Sequence, residues 1–225
     1  MTERRQPQLR RPIIVWFRDD QRLADNPALS HAVSSGCPVV CVYVYDAEPR
    51  HGRSLGAAAR WWLHESLREL DRALRSLGGS LVLLSGAERE TIEAFASAVE
   101  AVEVCWNRRY SAAQRQTDAS IKSALEAKGV LVSTFNGHLL REPWKVTTRE
   151  GQPFQVFGAY WRAARLGFSP EPPQPAPDGL PFYSLPERAR TLAVDLSDLK
   201  LQPHAPDWAA GLRETWTCGE NGAQQ

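Results

Sequence analysis

PVVCVYVYDAEPRHGRSLGAAARWWLHESLRELDRALRSLGGSLVLL, residues 38–84, decides the fold. It opens on Pro38 to Tyr45, a run that is apolar at almost every position, as a strand is when helices cover both of its faces. From Ala57 to Leu77 the period changes. Leu63, Leu67, Leu70, Leu74 and Leu77 recur at alternating intervals of four and three, so they lay one apolar stripe along a helix. Arg68, Glu69, Asp71, Arg72 and Arg75 fill the opposite side, and Gly78-Gly79 ends the helix. Leu81 to Leu84 then reads as a second buried strand. Strand, long helix, strand is the unit that places two strands side by side and parallel.

The same alternation extends in both directions. Upstream, Ile13 to Phe17 is a strand, and Asn26-Pro27 opens a short helix because Asn suits the N-cap and Pro the first turn. Downstream come a helix over Glu88 to Ala98, a strand over Val102 to Trp106, a helix over Ala112 to Lys128 stopped by Gly129, and a strand over Val130 to Phe135. Five strands joined by helical crossovers predict an α/β fold, a doubly wound five-stranded parallel sheet of Rossmann-like type. After Gly137 the pattern weakens, although Val156 to Leu166 can form one more helix. Seven of the sixteen prolines lie between Pro170 and Pro186, which predicts an extended linker. The last forty residues cannot bury a core alone. The expected organisation is a disordered basic tail over 1–12, an α/β domain over 13–168, and, over 169–225, a proline-rich linker and the start of a further domain.

Composition narrows the function. With 225 residues, 43% hydrophobic, 24% charged and a net charge of +1, the chain has no global field to attract nucleic acid or an anionic membrane. No apolar run approaches the roughly 20 residues that span a bilayer. The four cysteines, at 37, 41, 105 and 218, show no CxxC pair or zinc spacing, and three sit in or beside apolar runs. Reduced thiols predict a cytoplasmic location. The absence of GxGxxG after the first strand, of GxxxxGK[ST] and of GxSxG argues against a nicotinamide site, a P-loop and a hydrolase elbow. His31, His51, His64, His138 and His204 show no ligand spacing.

In an open parallel sheet, ligands sit beyond the carboxyl ends of the strands. Seven arginines fall in the three loops there or at the next helix start: Arg18, Arg22, Arg50, Arg53, Arg60, Arg108 and Arg109. Their forked donors suit an anionic or flat aromatic ligand. The alternative is that they pair with Asp19, Asp20, Asp25, Asp46 and Glu48 on the surface.

Six stretches in order carry a resemblance: WFRDDQRLADNPAL at 16–29, GAAARWWLHESLREL at 56–70, WNRRY at 106–110, LLREPWKV at 139–146, GQPFQVFGAYWRA at 151–163 and WTCGENGA at 216–223. Together they resemble the N-terminal domain and interdomain linker of the DNA photolyases and cryptochromes. The resemblance implies an α/β domain that holds a light-harvesting antenna, either methenyltetrahydrofolate or 8-hydroxy-5-deazaflavin. It implies FAD, DNA contact and the splitting of cyclobutane pyrimidine dimers only through a helical domain beyond these motifs, which makes this chain a fragment expected to be inactive alone. By position it assigns antenna contacts to Arg18, Tyr45, Asp46, Arg60, Asn107 and Arg109. Ala113-Gln114 stands where folate users carry Asn-Glu, and Arg109 where deazaflavin users place aspartate, so the antenna stays open. Gln21, Gly158-Ala159 and Cys218 also depart from the pattern. Two other readings are an interaction module that docks on a separately encoded flavin domain or another protein, and a different small-molecule binder on the same topology.

Overall fold

A computed structural model describes residues 10–49, 53–181, 183–203 and 205–225. The strands are β1 (Ile13–Phe17), β2 (Val39–Tyr45), β3 (Leu81–Ser85), β4 (Glu103–Asn107) and β5 (Leu131–Phe135), and all their pairings are parallel in the order β3-β2-β1-β4-β5. Between them run α1 (Pro27–Ser34), α2 (Ala57–Ser76), α3 (Glu88–Ala98) and α4 (Ala112–Ala127), with α5 (Phe157–Arg165) after the sheet. This is the doubly wound sheet expected from the sequence. Asn26 caps α1 as its type suggests, its side chain accepting from the Leu29 N–H at 3.2 Å.

The pleat sorts β1 into two cores. Ile13, Val15 and Phe17 face the layer that holds Leu63, Leu67, Leu70 and Leu74 of α2. Ile14 and Trp16 face Ile92 and Phe95 of α3 and Ile121 and Leu125 of α4. Each fully buried leucine contributes about 1.5–3 kcal/mol over leaving it exposed, so the α2 stripe is a main support of the first layer.

Residues 169–181 and 183–186 run extended, as the prolines dictate, but they do not swing free. Asp25 N–H donates to Gln174 O at 2.7 Å, Leu180 N–H to Leu77 O at 2.8 Å and Val39 N–H to Pro181 O at 3.0 Å. Further on, Val194 N–H reaches Leu83 O on edge strand β3 at 2.9 Å. Leu199 and Leu201 are buried in the α2 layer, and Ala189 in the other. At the far end Glu220 accepts from the Leu23 and Ala24 N–H groups at 2.7 and 3.0 Å, which ties the last turn to the loop after β1. The segment has no core of its own because it borrows that of the sheet. The expected basic tail falls largely outside the described residues. Within them Arg11 donates to the carbonyls of Glu100 and Ala101.

Candidate ligand cavity at the carboxyl ends of the strands

A cavity of about 660 Å³ opens where β1, β2 and β4 end, between the first turns of α3 and α4. That is a usual size for a small-molecule site. Strand β2 supplies Tyr43 and Tyr45, the loop after it supplies Asp46, the loop after β1 supplies Asp19, and the loop after β4 supplies Arg109. Burial, followed by the nearby Asp19 and Glu88 carboxylates, pushes the Tyr43 phenol upward, so it stays a neutral donor at physiological pH.

Of the residues assigned by resemblance, Tyr45, Asp46 and Arg109 line this cavity together. Arg18 lies beneath it. Its guanidinium donates to Asp118 Oδ1 at 2.6 Å and to Asn107 O at 2.7 Å, and sits 4.8 and 5.4 Å from the Trp16 and Trp106 ring centroids. Asn107 is buried under α1. Its amide donates to Asp20 Oδ2 at 2.6 Å and Asn26 Oδ1 at 2.8 Å, and its oxygen accepts from Ala28 N–H at 3.3 Å. Gly137 must stay a glycine beside it, because a Cβ there would stand 2.6 Å from Asn107 Cγ. Arg60, exposed on the first turn of α2, does not line the cavity. Arg50 and His51 lie outside the described residues.

The loop arginines find carboxylates, but mostly not the neighbouring ones. Arg109 grips both Glu88 oxygens at 2.8 Å each and also reaches Asp118 Oδ1 at 2.8 Å. Arg108 pairs with buried Glu142 at 2.6 Å. Burial would lower the Arg109 pKa, but the Glu88 and Asp118 carboxylates outweigh it and raise it. Burial, then the Arg109 charge, lowers that of Arg18 despite Asp118. The sequence reading missed Asp118 and Glu88. A signal was present for Asp118: it precedes buried Ile121 and Leu125 by three and seven residues, an acid on the apolar stripe of α4.

Among the described residues no cluster of three or more His, Cys, Asp or Glu side chains could hold a metal ion, and no helix is long and apolar enough to cross a membrane. The sequence model of the family described as DNA photolyase matches residues 13–178. This chain belongs to the DNA photolyase family. Its sheet is the α/β fold of the photolyase N-terminal domain. A deoxyribodipyrimidine photo-lyase of Agrobacterium fabrum is 40% identical over 212 residues, which are 94% of this chain and 43% of that protein. Cryptochrome-1 of Arabidopsis thaliana is 38% identical over 167 residues, 71% of this chain and 24% of its own length. The crystal structure of a bacterial class III photolyase from Agrobacterium tumefaciens superimposes with a TM-score of 0.87 at 38% identity, covering 99% of this chain and 45% of that one. The chain thus spans less than half the length of these photolyase-family relatives.

Proposed function

We propose that residues 13–168 form the antenna-holding domain of a photolyase that repairs cyclobutane pyrimidine dimers, with 169–225 the linker toward its flavin domain. The cavity at the strand ends carries this reading. Its volume suits a flat heterocycle, its β2 wall is tyrosine, and Asp46 and Asp19 bring acceptors to its lining. These residues fit methenyltetrahydrofolate or 8-hydroxy-5-deazaflavin as a bound ring. Such a group supplies the near-ultraviolet or blue absorption when it is bound, and the residues here hold and orient it. FAD and contact with DNA belong, by the family resemblance, to residues beyond these 225. Free thiols at Cys41 and Cys105, both buried, suit a cytoplasmic protein.

The test is direct. The purified chain is mixed with each antenna, and retention is read as a red-shifted absorption band after gel filtration. No retained chromophore under any condition removes the antenna reading. The 225 residues alone are expected to show no light-dependent repair of thymine dimers, and measured repair would overturn the assignment of chemistry to the flavin domain.

A second reading is a module that docks on a separately encoded flavin domain. The surface of α5 favours it: Val156, Phe157, Trp161 and Leu166 are 66%, 74%, 50% and 82% exposed. An apolar surface of this kind suits an interaction face. Co-purification with a separately expressed helical flavin half supports docking, and strictly monomeric behaviour beside it refutes it.

A further inference from the structure

The sequence led to the expectation that arginines would grip the ligand, yet the structure removes the two most buried ones from that task. Arg18 and Arg109 both bond to Asp118 Oδ1, at 2.6 and 2.8 Å, and Glu88 takes the Arg109 fork with both its oxygens. The four groups, two cations and two anions, balance in charge. They come from the ends of β1 and β4 and from α3 and α4, so they also fix the spacing of the walls. The other arginines of the lining, Arg53 and Arg89, are exposed, and Arg89 is held by Glu93. On the acidic side, Asp46 spends one oxygen on the Glu48 N–H at 3.0 Å, and Asp19 spends one on Gln114 at 3.4 Å. An ionised carboxylate has about four lone-pair sites, so among the described residues each keeps one oxygen free and a further lone pair on the other.

We propose that Asp118 and Glu88 are the specificity-determining pair of this cavity: by locking Arg18 and Arg109 they leave Asp19 and Asp46 to read the ligand, and so select a ring edge that donates hydrogen bonds. This rests on the antenna reading and deepens it. A carboxylate accepts two parallel bonds from an amino-pyrimidinone edge, which presents an N–H and an NH₂ side by side. A pyrimidine-dione edge offers one N–H flanked by two carbonyl oxygens, which repel the carboxylate. Asp118 and Glu88 are positioning residues, acting through the arginines they hold.

Pterin and lumazine form a matched pair of probes, since they differ only in an amino group against a carbonyl at one ring position. Fluorescence titration of the wild-type chain is expected to favour pterin by about tenfold, the scale of one charge-assisted bond. Asp118→Asn or Glu88→Gln releases an Arg109 amine as a donor, and the preference is expected to fall to parity or reverse. Asp118→Glu is expected to restore it, which a merely structural role would not produce. The proposal is overturned if the wild type prefers lumazine or shows no preference. It is also overturned if folded variants keep the wild-type ratio, or if both variants lose their fold, since the pair would then hold the fold and not the choice. A wild type that retains an antenna but shows no pterin preference sinks only this proposal. One that retains neither antenna nor either ring sinks the antenna reading with it.

Discussion

Replacing Leu201 by alanine tests whether the C-terminal segment belongs to the fold. Leu201 is 2% exposed and sits in the layer that holds the α2 leucines, although it lies 23 residues beyond the family match that ends at 178. Truncating a buried leucine loses its transfer free energy and leaves a cavity, at a cost of about 2–5 kcal/mol. Taking about 3 kcal/mol, and roughly 2–4 °C per kcal/mol for a chain of this size, the midpoint falls by about 6–12 °C. Leu166→Ala is the control, because that side chain is 82% exposed, and a surface change of this kind stays within about 0.5 kcal/mol. Urea unfolding, followed by far-ultraviolet circular dichroism and tryptophan fluorescence, reads both variants. A Leu201→Ala loss no larger than that of Leu166→Ala would refute the packing of this segment on the sheet. Divergence of the two probes would show instead that the segment melts as a separate unit.

Three further outcomes are expected. Glu220→Ala removes charge-assisted bonds to two backbone N–H groups, each worth about 1.5–3 kcal/mol at most, and hydrogen exchange at Leu23 and Ala24 should accelerate; unchanged exchange would show that the clamp holds nothing. Burial pushes the Cys41 thiol up to about 12 and raises Cys105 well above its ordinary range. A disulfide reagent should therefore reach half-buried Cys37 and Cys218 in the native chain and the other two only on unfolding, and rapid native labelling of Cys41 would contradict its burial. Burial tends to raise the Glu93 carboxyl, but hydrogen bonds from Lys128 and Arg89 outweigh it and hold it below the usual value. Because the folded pKa is the lower one, this stabilisation is present above the unfolded carboxyl's value and is lost as pH falls through the folded value. Glu93→Gln should flatten that part of the acid limb in stability measurements, and an unchanged limb would rule the contribution out.

Periodicity made the sheet legible. The α2 leucine stripe, the Asn26 cap and the apolar runs are local signals, and each reports its own element within a residue or two. Asn107 shows a boundary effect: read as a loop residue, it closes β4 and spends its whole side chain beneath α1. The segment after 168 was harder because its burial is borrowed. Leu199 and Leu201 carry no period of their own, and only the three-dimensional path shows the layer they join. Arginine pairing failed for a related reason. Charge counts near Arg18 suggested Asp19 and Asp20, but its carboxylate is Asp118, 100 residues away, brought alongside by the β1–β4 pairing. Residue types pointed to a polar, ring-sized site. Which polar groups remain free to face a ligand depends on long-range partners that spacing does not encode.

The bond from Val194 to Leu83 has a consequence for colloidal behaviour. An edge strand offers a ladder of unpaired amides and carbonyls to any extended chain that drifts past, and β3 is such an edge. The chain answers with its own backbone, laid across that margin by residues that belong to no strand. A protein trimmed at residue 178 would keep every strand and lose this guard. Self-association through β3, and not unfolding, would then set the limit on how concentrated a solution of the trimmed sheet can become.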